Sequence, residues 1–302
     1  MKRAALFFLL ALSGVAEAQP DKKVETVIVT APKYHAGVTP NAIAHDFVRS
    51  FATPNILRVG IARWRIAICP DFEGLAPQFA QVIESRFLTI ARQVNVSMKE
   101  KGCRPNLFVI FTAAPQAMLD ALRTKDLDAL CYRAAATVAH PIQAWYETCI
   151  TDLHGQTWRD QESWGVTYGS NYTSFNGPQT QVGGWRFRQD ATADLLSATI
   201  IVDSTQVGKY MVGSVADYVA VLALSQTDDY DDCQLMPSIT NLLSPSCDDK
   251  LKPSQITATD IAYLRGVYRM DAGATLKIQQ NQIAAEMEKA IPATTAPAGG
   301  GK

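Results

Sequence analysis

The stretch "SVADYVAVLALSQ", Ser214 to Gln226, decides how this chain is expected to fold. Steps of three and four residues, the spacing of one helical face, connect Val215, Tyr218, Val219, Leu222, Ala223 and Gln226. The apolar segment "ATIIVDS" (198–204) precedes this stretch, and "PSITNLL" (237–243) follows it. We therefore predict a core helix that connects a buried strand to a turn.

The rest of the chain alternates between strand-like and helix-like patterns. Strands are predicted at "VGIARWRIAICP" (59–70), "PNLFVIFTA" (105–113) and "PIQAWYETCITD" (141–152). A long helix is predicted over 75–95, with a buried face made of Phe79, Val82, Ile83, Phe87, Ile90 and Ala91. Further helices are expected at 256–270, where Thr257 or Thr259 could cap the first turn, and at 278–291. This alternation predicts an α/β (α+β) fold.

The order of these elements resembles that of the metzincin zinc peptidases. The segment "PSITNLL" resembles the Met-turn of that family. Ser238, Ile239 and Asn241 match, and Thr240 stands in place of the methionine. The run that opens the last helix of matrix-type metalloproteases is matched by Thr257, Asp260, Ile261, Leu264 and Tyr268. The resemblance implies a metzincin-like mixed sheet, packed with a long helix, an active-site-type helix and C-terminal helices.

The zinc-binding motif of that family, H-E-x-x-H-x-x-G-x-x-H, is not preserved in this helix. Its three ligand positions correspond to Ala216, Ala220 and Gln226, its general base to Asp217, and its glycine to Ala223. An alanine side chain has no lone pair for a metal, so we expect no zinc, no other cofactor and no peptidase activity. A plain core helix explains the same sequence, and Asp217 is the one weak catalytic candidate.

A binding or accessory role is the leading functional hypothesis. If the family's peptide groove is retained, Trp145, Tyr146 and Glu147 are expected to line it with Asp217 opposite, and an extended peptide would bind by strand addition. The alternative is a hydrolase with non-standard catalytic residues, for which Glu147, Asp203 and Asp217 are the candidates.

The first residues have the form of a secretory signal peptide. Basic Lys2 and Arg3 precede the apolar run 4–15, and an A-x-A signal predicts cleavage after Ala18. We therefore expect a protein of the periplasm or the extracellular space, with no membrane span after cleavage. The whole chain has a net charge of −1, which gives no reason to expect a nucleic-acid partner.

The segment after the signal peptide suggests a further partner. Residues 19–38 are expected to form a flexible arm that contains a TonB-box-like peptide at Glu25, Thr26, Val27, Ile28 and Val29. TonB boxes dock as an added strand, so a third hypothesis is an accessory protein of the TonB system. The alternatives are a strand that joins the domain's own sheet or a loose arm.

The remaining sequence predicts one globular domain over 39–291, with an insertion at 156–190. The insertion is rich in Gly, Asn, Thr and Gln and contains Trp158, Trp164 and Trp185. The Pro-, Gly- and Ala-rich tail at 292–302 is expected to be disordered.

Six cysteines in an exported chain predict disulfides. We favour Cys69–Cys103, Cys131–Cys149 and Cys233–Cys247 over a metal site, because Cys-x-x-Cys spacing is absent. The four histidines are unpaired in the sequence and are interpreted as solvated or packing residues. The acidic run "TDDYDDC" (227–233) is interpreted as a solvated loop, with Ca²⁺ binding as the alternative.

Overall fold

A mixed β-sheet with helices packed against its two faces organises the protein. The computed structural model describes residues 39–52, 54, 60–125, 137–152, 157–159, 184–185, 188–189, 191–227 and 233–290. All of these residues belong to one unit, Ala31–Lys302. The α/β class predicted from the sequence is confirmed.

The main sheet has the strand order β2-β3-β8-β4-β5, and β1 pairs with the first half of β8. Strands β1 and β3 run parallel to β8, and β2 runs parallel to β3, whereas β4 runs antiparallel to β8 and β5 antiparallel to β4. Strands β6 and β7 form a separate antiparallel pair. The strands are β1 (Arg63–Trp64), β2 (Pro70–Glu73), β3 (Leu107–Thr112), β4 (Ile142–Asp152), β5 (Thr157–Arg159), β6 (Gly184–Trp185), β7 (Arg188–Gln189) and β8 (Ala191–Asp203).

Several helices begin where the sequence supplies a capping residue or a proline, although α5 (Val212–Leu224) begins with neither. Thr39 caps the first helix, and Thr257 and Asp260 form a capping box at the sixth. The helices are α1 (Pro40–Phe51), α2 (Pro77–Gln93), α3 (Pro115–Lys125), α4 (Ser204–Val207), α5 (Val212–Leu224), α6 (Ala258–Arg269) and α7 (Leu276–Glu288). Two 3-10 turns cover Ile239–Leu242 and Asp249–Leu251.

The predicted core helix is α5, and it is buried on every side. Each residue from Ser214 to Leu224 is buried, not only the stripe expected from the spacing. A helix that is apolar all round needs neighbours all round. Here α2, α6, β4 and β8 provide them, and the main core cluster includes Tyr218 and Leu222.

The opposite face of the sheet carries a smaller apolar cluster. Trp145 on β4 and Ile201 on β8 pack there against Leu119 of α3. Their sequence neighbours Ala144, Tyr146, Ile200 and Val202 contact the main cluster, as the alternation of side chains along a strand requires.

Two predictions about the first half of the chain are wrong in detail. The segment 59–70 is not one strand, because its partner changes from β8 at β1 to β3 at β2. The buried face of α2 begins only at Ile83: Phe79 is 43% exposed and Val82 is 40% exposed. The predicted strand 198–203 is present, but β8 starts earlier, at Ala191.

Two of the three predicted disulfides are confirmed. The Cα atoms of Cys69 and Cys103 lie 6.1 Å apart, and those of Cys233 and Cys247 lie 4.8 Å apart. Disulfides of this kind are typical of an oxidising compartment outside the cytosol. The third pair stays a prediction, because Cys131 lies outside the described residues; Cys149 is buried on β4.

Several other predictions concern residues outside the described part of the chain. These are the signal peptide, the TonB-box-like segment, the acidic residues 228–232, most of the 156–190 insertion and the tail 292–302. Among the described helices, none combines the length and the apolar character needed to cross a bilayer.

Candidate functional site

The site singled out by the sequence lies along α5. The positions compared above with zinc ligands are Ala216, Ala220 and Gln226. Both alanines are fully buried within the main core cluster. Gln226 follows the end of the helix and is 9% exposed, and its buried Oε1 has no hydrogen-bond partner among the described residues. The three positions therefore offer a metal at most one amide oxygen.

Asp217, at the position of the general base, forms a closed ion pair. Its Oδ1 accepts from Arg86 Nε at 2.7 Å, and its Oδ2 accepts from Arg86 Nη2 at 2.5 Å. The backbone N–H of Ile256 also donates to Oδ2, at 2.7 Å. Asp217 is fully buried, whereas the Arg86 side chain is 37% exposed. The hydrogen bond that Arg86 donates to Asp217 raises the pKa of Arg86 above its ordinary value, and burial opposes that effect.

The end of α5 is also closed, by hydrogen bonds to its last four carbonyl groups. The last four carbonyl groups of a helix have no hydrogen-bond donor within the helix. When the helix end is buried, these carbonyls therefore need donors from other parts of the chain. Four side chains do this, one for each carbonyl. The pairs are Ser225 Oγ with Val221 O (2.8 Å), Tyr146 Oη with Leu222 O (2.9 Å), Trp64 Nε1 with Ala223 O (2.7 Å) and Tyr268 Oη with Leu224 O (2.6 Å).

The Ser-Ile turn is held by a second buried carboxylate, that of Asp260. Ser238 Oγ donates to Oδ1 at 2.5 Å, and the backbone N–H groups of Ile239 and Thr257 donate to Oδ2 at 2.9 and 2.8 Å. Burial raises the pKa of Asp260, and the hydrogen bonds from Ser238, Ile239 and Thr257 oppose that rise. This carboxylate joins the turn to the start of α6.

The structure does not bring the four predicted groove residues to one surface. Trp145 is buried in the smaller cluster on the α3 face. Glu147 lies two residues further along β4 and accepts a hydrogen bond from Ser197 Oγ at 2.9 Å. Tyr146 lies on the opposite face, against α5. Asp217 is enclosed by Arg86. Tyr146 reaches the helix through the hydrogen bond that it donates to Leu222 O.

The remaining candidates for catalysis are held by local contacts. Asp203 ends β8 and caps α4, where it accepts from Thr205 and Gln206. Burial acts to raise the pKa of Asp203, but these hydrogen bonds outweigh it and lower the pKa. Glu147, Asp203 and Asp217 thus have separate partners, and no hydrogen bond among the described residues joins any two of them.

Arg86 and the donors at the end of α5 were not predicted from the sequence. Arg86 directly precedes the buried Phe87 on α2. A charged residue next to the apolar face of the helix was the signal in the sequence that could have indicated a buried ion pair. Trp64 and Tyr268 carry polar atoms inside apolar segments, which indicates buried hydrogen-bond donors.

No cluster of metal-ligating residues occurs in the described part of the chain. His45 and His140 are partly exposed, and His35 and His154 lie outside that part. Comparison with known proteins finds no matching family model, no matching curated protein and no matching solved structure.

Proposed function

We propose that this chain is an exported, non-catalytic binding or accessory protein of metzincin-like architecture, in which the active-site-type helix serves only the fold. The observation that carries this proposal is the enclosure of Asp217 by Arg86 and Ile256 N–H, next to the buried Ala216.

The chemistry of this enclosure opposes catalysis by Asp217. A general base needs a free lone pair within hydrogen-bond reach of the proton that it abstracts. Both oxygens of Asp217 already accept charge-assisted or backbone hydrogen bonds, and the residue has no solvent-exposed surface. A water molecule activated by zinc would also require ligands that Ala216 and Ala220 do not supply.

The arrangement of the elements supports the architectural part of the proposal. A long helix, α2, packs beside α5, and the antiparallel strand β4 adjoins the strand that leads into α5. The Ser238 turn then connects to α6 through Asp260. A binding role is the hypothesis that this arrangement supports, because the groups at the positions of a peptidase's reactive residues are used here for packing.

Zinc titration tests the proposal. We expect isothermal calorimetry of the purified, metal-free protein with Zn²⁺ to show no saturable one-to-one binding. We also expect no hydrolysis of casein, and the Asp217→Asn variant to match the wild type in both assays. Tight stoichiometric zinc binding, or hydrolysis that disappears in Asp217→Asn, would overturn the proposal.

A further inference from the structure

A cavity of about 520 Å³ lies beside the carboxyl end of β8, apart from the buried interior of α5. Its walls come from the segment before β4, from α4 and the loop after it, from α5, and from the loop after the Ser238 turn. Sites for small molecules have volumes of roughly 300–1,000 Å³. In open α/β sheets such sites occur outside the carboxyl ends of strands. The size and the place of this cavity both fit a ligand site.

The charged residues of the cavity wall are all basic. They are Lys209 and Lys252, with the imidazole of His140 beside them, and no described residue of the wall carries a carboxylate. This local excess contrasts with the net charge of −1 for the whole chain. Lys252 Nζ lies 3.3 Å from Asp249, whose side chain is 96% exposed. The Lys252 side chain is 21% exposed, and because Asp249 lies almost wholly in water the pair contributes little, so a bound anion can compete for Lys252.

Asp203 lies two residues before Thr205, the first wall residue of α4. Its side chain caps the start of that helix. Its carboxylate accepts from Thr205 Oγ1 and from Gln206 Nε2, the latter at 2.7 Å. Both donors belong to residues of the cavity wall. Asp203 therefore holds this part of the wall in place, and its carboxylate is directed to these neutral donors, which stabilise its negative charge without cancelling it.

Aromatic side chains complete the wall. Lys209 Nζ lies 5.1 Å from the centre of the Tyr210 ring, which places the ammonium group over an aromatic face. Tyr218 of α5 borders the cavity and is 1% exposed. The partly exposed Tyr210 ring provides an apolar surface for the body of a ligand, while the lysines attract its charge.

We propose that this cavity binds a small organic anion, about the size of a monosaccharide, that carries a carboxylate or a phosphate group. The inference rests on the proposed binding role and names the class of ligand. Lys209 and Lys252 supply the charge complement, and the tyrosine side of the wall contacts the uncharged part of the ligand.

Calorimetric titration with glucose 6-phosphate, glucuronate, inorganic phosphate and uncharged glucose tests this proposal. We expect saturable binding of at least one charged sugar, weaker binding of inorganic phosphate, and no binding of glucose. The tighter of the two charged sugars identifies the preferred group. Lys209→Ala and Lys252→Ala should each weaken binding about tenfold, which equals about 1.4 kcal/mol.

Lys250→Ala is the matched control, because Lys250 is an exposed lysine two residues from Lys252 that does not line the cavity. It should leave the dissociation constant unchanged. The proposal fails if neither charged sugar binds, if glucose binds equally well, or if the Lys209 and Lys252 variants bind like the wild type. Such a failure would leave the zinc titration unaffected, so the two proposals can be judged separately.

Discussion

At Asp217, a single carboxylate holds three parts of the chain together: α2, α5 and the segment that precedes α6. A buried carboxylate without partners is strongly unfavourable, and the bidentate contact with Arg86 offsets that cost. The sequence locates Asp217 on the helix, but its partner lies 131 residues away. Spacing along one helix cannot identify a contact with another helix, so this part of the site required the structure.

Removing the partner should destabilise the fold. We predict that Arg86→Ala lowers the free energy of unfolding by about 2–3 kcal/mol, because it leaves the Asp217 charge buried while water reaches the site from the partly exposed Arg86 side. Urea unfolding followed by circular dichroism measures the effect. Arg92→Ala, at an exposed position on the same helix, is the control. Equal stability of the two variants would contradict the structural role assigned to Arg86.

The buried carboxylate of Asp194, on β8, should make stability depend on pH. Asp194 is 6% exposed, and its Oδ1 has no hydrogen-bond partner among the described residues. Burial raises its pKa above the ordinary 3.8, although Thr151 and Arg65 oppose the rise. The folded state therefore favours the protonated form. The contribution of this group to stability is fully present below pH 3.8 and is lost as the pH rises through the folded-state pKa.

The variant Asp194→Asn cannot titrate and so isolates this effect. We predict that the wild type gains stability relative to Asp194→Asn as the pH falls from 8 toward 4. Urea midpoints measured at several pH values for both proteins would show the trend. A difference that stays constant with pH, or that favours the wild type more at high pH, would contradict the prediction.

At the scale of elements, α5 shows how a buried helix can end without contact to water. Ser225, Tyr146, Trp64 and Tyr268 each donate to one of its four terminal carbonyls. These donors come from the helix's own end, from two strands and from α6. The helix end is therefore a junction between the sheet and the C-terminal helices, and not the edge of an open cleft.

Removing one of these donors should have a measurable cost. We predict that Tyr268→Phe lowers the free energy of unfolding by about 1–3 kcal/mol, because the Leu224 carbonyl is left buried without this partner. Chemical unfolding gives the value. Tyr210→Phe removes a hydroxyl from another partly exposed ring that does not donate to any of these four carbonyls, and it should change stability much less. An equal loss in both variants would show that the hydroxyl at Tyr268 has no special role.

Helices were more predictable from the sequence than strand pairing. The predicted core helix 214–226 differs from α5, Val212–Leu224, by two residues at each end. The break between β1 and β2 was not predicted, since it arises from a change of partner strand that is not encoded in local periodicity. Phe79 is exposed because the hydrophobic core does not extend to this end of α2. The spacing of apolar residues along a helix does not predict where the core ends.

At the scale of the whole molecule, the disulfides and the fold class were predictable because they depend on composition and order. Cys69–Cys103 and Cys233–Cys247 each join two cysteines that follow one another in the order of cysteines along the chain. The α/β class was predictable from the alternation of strand-like and helix-like segments. The basic cavity could not be predicted, because His140, Lys209 and Lys252 come from three separate segments. Only the packing of the sheet against α4 and the loops brings them together.

The TonB-box-like peptide provides a test that involves the whole chain. If the segment Glu25–Val29 docks on TonB as an added strand, deletion of residues 24–32 should abolish association with purified TonB in a surface plasmon resonance assay. Thermal unfolding of the deleted protein should match that of the wild type if the segment serves only as a docking peptide. A deletion of the tail 292–302 is the control and should leave association unchanged. Undiminished association after removal of 24–32 would eliminate the TonB hypothesis. A large loss of thermal stability would instead favour the alternative in which this segment is a strand of the domain's own sheet.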